Sequence, residues 1–300
     1  MIVSEFKPNL FILGVAKSGT TSIHNFLSEI DSICMSNPKE PIFFECEFDE
    51  GLDFYHQKYF AHWNGESLIG ESRHRNLYLP YIPKRIKSIN ENPKLIVILR
   101  NPVERAFSHW WHFFSRGQEN LGFKDAIMND LKRIESGKCI NDDESIGKYC
   151  QNVNGFLNGI YRTYIDSGYY FEQISRYLEL FPKESLLILS FAELISDEQS
   201  VITKLAQFLE LNPEELPVAI AKQNEKRVVS TKGKLKSVLR STGIGKLIPV
   251  KYKVAFESRQ TEKLRMEQYD QETVKMLKEH FRTHNDKLKE LIDFNIDSWY

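Results

Sequence analysis

Residues 11–27 read FILGVAKSGTTSIHNFL. A hydrophobic run stops at Gly14, a Gly/Ser/Thr-rich turn follows, and an apolar period resumes at Ile23, Phe26 and Leu27. A buried strand that enters a helix through such a turn points several backbone N–H groups at one spot. The positive end of the helix dipole lies there too, so the turn is an anion site. Lys17 adds a full charge, and Ser18, Thr20, Thr21 and Ser22 add hydroxyl donors. The order differs from the nucleoside triphosphatase loop, G-x-x-x-x-G-K-[ST], because Lys17 precedes Ser18 and Gly19.

Working outward, residues 95–99 (LIVIL) form a near-continuous apolar run, the pattern of a strand buried on both faces. In a triphosphatase such a strand ends in an acid that helps to hold Mg²⁺. Here it ends in Arg100, which can grip an anion with two parallel bonds. Asn101, Pro102 and Glu104 then supply an N-cap, a first helical position and a first-turn acid, predicting a helix over 102–114. Ser108 follows Arg100 by two helical turns and could share its anion. Two anion sites at two strand ends, with no evident metal acid, imply a ligand with two separate phosphate groups and no resident metal.

Further strands are expected at Asn9–Val15, at Leu68–Gly70 running into Glu71, and at Leu186–Leu189, with helices over 20–30 and 197–209. Val274, Leu277, Phe281, Leu288, Leu291 and Ile292 form one apolar stripe. Strands alternating with helices predict an α/β fold with a mostly parallel central sheet flanked by helices on both faces. The 300 residues suit a single domain spanning 1–300. Residues 120–158 are less periodic and read as an insertion.

The net charge of −1 gives no overall attraction to nucleic acid or to a membrane surface. Local charge is another matter, because residues 222–253 carry ten Lys/Arg against one acid, Glu225. They read as a solvated basic face or as a lid. Cys34, Cys46, Cys139 and Cys150 form no C-x-x-C pair, so reduced packing cysteines are expected, without zinc or a disulfide framework. His109 and His112, and likewise His280 and His284, could share helix faces but lack a clear third metal ligand. The first residues carry no basic segment followed by a long apolar one, and no run approaches the ~20 apolar residues of a membrane span. A cytoplasmic location is the expectation.

With these motifs in view, the chain resembles the PAPS-dependent sulfotransferases, PAPS being 3′-phosphoadenosine 5′-phosphosulfate. Residues 14–21 (GVAKSGTT) resemble the family's 5′-phosphosulfate loop, and residues 99–108 (LRNPVERAFS) its 3′-phosphate motif. Residues 39–44 (KEPIFF) resemble the KExxFF element of the heparan-sulfate branch, 232–234 (KGK) its late loop, and 281–288 (FRTHNDKL) its C-terminal helix. Ser72 stands where that branch often has Lys after the strand-ending Glu, and Ile42 where it often has His.

The resemblance implies a P-loop-like fold and sulfuryl transfer from PAPS to a hydroxyl or amine by in-line displacement. It implies PAPS binding by Lys17, Ser18, Gly19, Thr20, Thr21, Ser22, Arg100, Ser108, Lys232, Gly233 and Lys234. Lys17 would stabilise the leaving phosphate. Glu40 is the first choice of general base, Glu71 the second and His74 the third; a Glu40 that merely pairs with Lys39 or Arg73 is the other reading. The departures at Ser72 and Ile42, near the acceptor in relatives, weigh against a polysaccharide; with no secretory address read in the sequence, a small-molecule acceptor is expected, with a carbohydrate acceptor as the alternative. A P-loop small-molecule kinase would need the Gly-Lys-Ser/Thr order and a magnesium-binding acid, and neither is evident.

Overall fold

The computed structural model describes residues 6–137, 143–155, 162–220 and 270–300. At its centre five strands lie in the order β2-β3-β1-β4-β5: β1 (Leu10–Gly14), β2 (Ile33–Met35), β3 (Leu68–Ser72), β4 (Lys94–Leu99) and β5 (Leu186–Ser190). Every pairing is parallel, and β1 lies between β3 and β4. All strands therefore end on the same edge. The chain reverses its travel across the sheet beside β1, the place where open α/β sheets bind ligands.

Period-two alternation distributes β1 and β4 between two cores. Leu10, Ile12, Ile96 and Ile98 pack with Ile23, Phe26 and Leu27 of helix α1 (Thr20–Leu27). Val201, Ile202 and Leu205 of a later helix, Glu198–Leu209, complete that layer. Phe11, Leu13, Leu95, Val97 and Leu99 face the other way. They meet residues of α2 (Gly51–Tyr59), α3 (Arg75–Tyr78) and α4 (Ile82–Ile89), together with Ile174 and Tyr177. This is the predicted arrangement of helices on both faces. Burying every residue of β1 removes about 2 kcal/mol of apolar surface cost per large side chain.

Helix α5 occupies Pro102–Phe114, the predicted span, and the Asn101 side chain accepts from the N–H groups of Val103 and Glu104. Residues 120–158 contain α6 (Phe123–Glu135) and α7 (Asp143–Gly155). Phe123 and Ile127 of α6 share a third core with α5 and with Leu277 and Phe281. The remaining helices are α8 (Tyr170–Leu178), α9 (Phe191–Ser196), α10 (Glu198–Leu209) and α11 (Gln271–Leu288). Among the described residues no helix is long and apolar enough to cross a membrane.

The cysteine expectation is corrected. Cys46 and Cys150 are joined in a disulfide, with Cα atoms 5.4 Å apart, and Cys34 is free and buried. The partners are 104 residues apart in sequence. Only packing of α7 against the Phe43–Glu47 turn brings them together, so spacing along the chain carries no trace of the pair.

Candidate functional site

Between β1 and α1 the backbone takes two left-handed steps, at Lys17 (φ 71°) and Gly19 (φ 86°). The positive φ at Gly19 favours glycine, and a Cβ there would come 2.7 Å from Leu194 Cδ2, so that methyl would have to move as well. Gly19 is the N-cap of α1 and provides no side-chain cap, leaving the first N–H groups of the helix to an outside acceptor. Ser18 is wholly buried beside them, and its Oγ has no hydrogen-bond partner. A buried hydroxyl without a partner is costly, and an anion seated at the helix start would supply one.

Arg100 follows β4 and lies across the sheet edge from this loop. Its Nη1 donates to the Lys17 carbonyl at 3.1 Å, its Nε contacts Glu104 at 3.4 Å, and its guanidinium covers the Phe191 ring. Tyr170 donates to the Arg100 carbonyl at 2.8 Å. Ser108 is buried on α5. The structure thus brings together the loop that carries Lys17 and the strand end that carries Arg100.

His112, grouped with His109 by sequence and not expected at the site, joins the Lys17 loop. Its Nδ1 lies 3.3 Å from Lys17 Nζ. Burial, then the Lys17 charge, pushes the imidazole down to about 4, so it is neutral and accepts from the ammonium. His109, one residue past Ser108, is wholly buried and held neutral by burial and by Arg105. A histidine three helical turns into the helix that follows Arg100 was the available signal.

Glu40 stands at the same edge with its side chain 39% exposed. Lys39 lies 3.1 Å away, Arg73 3.2 Å and the His74 ring 3.7 Å. Burial opposes ionisation, but His74, Lys39 and Arg73 outweigh it and hold Glu40 well below the ordinary carboxylate range. His74 is held neutral, chiefly by burial, with Arg73 and Arg75 adding to the effect and Glu40 opposing it. Glu40 is therefore paired with both Lys39 and Arg73, while part of its carboxylate still faces solvent.

Glu71 lies elsewhere. It is buried in the core under that edge, and its two oxygens accept from Tyr55 and Asn76. Burial raises it to about 7. Thr20 is buried, whereas Thr21 and Ser22 are half-buried, all in the first turn of α1. The segment 222–253, with Lys232, Gly233 and Lys234, lies outside the described residues. Among the described residues no cluster of three His, Cys, Asp or Glu is arranged to hold a metal ion.

Comparisons with known proteins identify a family. The family described as "Sulfotransferase domain" matches residues 7–289. The membrane-associated sulfotransferase kil1 of Dictyostelium discoideum is 24% identical, aligned over 68% of this chain and 56% of that protein. Human heparan sulfate glucosamine 3-O-sulfotransferase 3B1 is 26% identical over 69% of this chain and 47% of that protein. The human bifunctional heparan sulfate N-deacetylase/N-sulfotransferase 2 is 24% identical over 69% of this chain, but only 22% of that protein. The chain thus spans about half, or less, of the length of these curated relatives. The crystal structure of a sulfotransferase from Alicyclobacillus acidocaldarius shares the fold, with a TM-score of 0.57 at 23% identity, covering 85% of this chain and 98% of that one.

Proposed function

The chain belongs to the sulfotransferase domain family, and from that premise we propose that it moves a sulfuryl group from PAPS to a hydroxyl or amine of a small-molecule acceptor. The observation that carries the donor assignment is the uncapped start of α1 beside the wholly buried, partnerless Ser18 Oγ. These groups, with the Lys17 ammonium, fit the 5′-phosphosulfate end. Arg100 and Ser108 fit the 3′-phosphate.

PAPS supplies an activated sulfuryl group whose S–O bond to the leaving phosphate breaks as the acceptor oxygen or nitrogen bonds to sulfur. Lys17 would stabilise the negative charge that gathers on the leaving oxygen, and His112 Nδ1 accepts from the Lys17 ammonium. Glu40 would receive the acceptor's proton, because it is ionised across the neutral range and partly exposed. Its three cationic or imidazole neighbours limit its basicity, so its orientation and the charge around it both matter. Glu71, with both oxygens bonded in the core, is less suited to reach an acceptor. His74 stands beside Glu40 and is the second candidate for the same proton.

Ser72 and Ile42, the two departures from the heparan-sulfate pattern, support a small-molecule acceptor. Ser72 is wholly buried and carries no charge where that branch often has Lys. A carbohydrate acceptor is the second reading, favoured by the heparan sulfate activities for which two relatives are named. As for location, the expectation of cytoplasm now competes with the Cys46–Cys150 bond, which favours an oxidising compartment. The test is incubation of the protein with PAPS and a panel of phenols, alkyl alcohols, amines and amino-sugar oligosaccharides, read by mass spectrometry. A mass gain of one sulfuryl group on a phenol, alcohol or amine supports the first reading, and a gain only on oligosaccharides selects the second. No adduct, with no binding of adenosine 3′,5′-bisphosphate in calorimetry, overturns both.

A further inference from the structure

Arg73 follows β3, and its N–H donates to the Ile12 carbonyl at 3.1 Å, which fixes its backbone against β1. Its guanidinium lies between two carboxylates. Nε and Nη2 form a two-pronged contact with Glu45, the latter at 3.0 Å, while Nη1 reaches Glu40 Oε2 at 3.2 Å. Glu45 is wholly buried and does not reach the exposed edge. It also accepts from Tyr149 of α7 at 2.7 Å. The Glu45 backbone is held in turn, because Arg85 donates to the carbonyls of Phe44 and Glu45 at 2.7 and 3.0 Å, and Tyr81 to the latter at 3.1 Å. The next residue along each chain segment, Cys46 and Cys150, forms the disulfide.

We propose that Arg73 is the positioning residue for Glu40, and that Glu45, braced by Tyr149 and the Cys46–Cys150 bond, aims Arg73. The inference rests on the reading of Glu40 as general base. A buried carboxylate is expensive unless paired, and Glu45 has no exposed face to recognise anything outside the protein. What it does is occupy two of the five guanidinium donors in a planar fork, so that Nη1 can point only toward Glu40. Its charge also offsets that of Arg73. Glu40 is thereby oriented by a cation whose field is partly cancelled, which keeps it ionised without removing its capacity to take a proton. Lysine could not do this, because its three donors diverge from one nitrogen and lack the planar fork that seats both Glu45 oxygens while a separate nitrogen reaches Glu40.

The test combines carboxylate titration with kinetics. Protein labelled with ¹³C at the glutamate carboxyl, saturated with adenosine 3′,5′-bisphosphate, is titrated from pH 7 to pH 3.5, with the Glu40 signal assigned by its loss in Glu40→Gln. Arg73→Met alone leaves Glu45 unpaired and could fail to fold, so Arg73→Met/Glu45→Gln, which removes both charges, is the main variant. Its Glu40 signal should move further toward the protonated position by pH 3.5 than that of the unaltered protein. Its kcat, with an acceptor identified in the panel above, should fall at least tenfold while KM for PAPS stays within twofold. Glu45→Gln alone should bring no Glu40 midpoint into range, and Arg73→Lys should lower kcat several-fold at unchanged KM for PAPS. An unmoved Glu40 signal or an undiminished kcat in the double variant overturns the proposal. So does undiminished kcat in Arg73→Lys, which serves alone if the double variant does not fold. Full turnover by Glu40→Gln would instead overturn the base assignment, whatever the Arg73 variants do.

Discussion

At the β1–α1 loop, the groups that would meet an anion come from six consecutive residues, 17–22, and from backbone already fixed by left-handed steps at Lys17 and Gly19. At the Glu40 edge, the groups come from residues 39–45, from 73–74, and from Tyr149 on a distant helix. The first region is built by local chain geometry and leaves a buried hydroxyl waiting. The second is built by side-chain pairs that satisfy one another. Local construction suits a ligand that does not change. Side-chain construction can be altered at one position at a time, which suits a group that must match an acceptor. The difference teaches where variation should be tolerated: mutations in the loop should abolish chemistry outright, and those at the edge should grade it.

The largest effect should come from Lys17→Ala. Its loss removes a charge without opening a core cavity, and should slow single-turnover sulfuryl transfer by about 10²–10³-fold, roughly 3–4 kcal/mol, with unchanged thermal stability. Near-normal transfer would break the distinction at its strongest point. Glu40→Gln should cost about 10²-fold in kcat, and circular dichroism should show an unaltered fold. If Glu71→Gln shows that loss instead, the base lies in the core rather than at the edge.

Arg100→Ala should weaken adenosine 3′,5′-bisphosphate by about 10–100-fold, the range for a charged hydrogen-bonded contact. The analogue without the 3′-phosphate should lose far less; calorimetry with both ligands on both proteins decides it. Equal losses would mean that Arg100 acts only by holding the Lys17 carbonyl.

The smallest effect concerns pH. Glu71 is raised to about 7 by burial, so the folded protein holds a proton there that the unfolded chain releases at lower pH. Its contribution to stability is complete below the ordinary carboxylate range and is lost as pH rises toward 7. The loss between pH 5 and pH 7 is about 2 kcal/mol at most. Glu71→Gln should flatten the fall in melting temperature over that interval. An unchanged slope would show that the core carboxyl is already ionised at pH 5.

The same contrast explains what could be read from sequence. The helix 102–114 was legible because Asn101 and Pro102 specify its start locally, and β1 and β4 because continuous apolar runs mark strands covered on both faces. β2 has three residues, too few to show a period. Lys17 meets His112 across 95 residues, Arg73 meets Glu45 across 28, and Cys46 meets Cys150 across 104. None of these pairs leaves a pattern in a window of ten or fifteen residues, because tertiary packing alone makes them neighbours. Glu40 and Arg73 were both visible as residues; that one guanidinium serves two carboxylates was not.

The bond from Arg100 to the Lys17 carbonyl ties the ends of two adjacent strands, β1 and β4, into a rigid gauge. Neighbouring strands lie about 4.8 Å apart, and the pairing cannot stretch to suit a guest. On the proposed reading, a molecule must present negative charge at both ends of that fixed span to engage both sites. Adenosine triphosphate concentrates its charge on one side of the ribose and would fill only the loop. The sheet itself would then act as a filter between sulfate and phosphate economies, rejecting an abundant nucleotide by spacing rather than by any contact with its base.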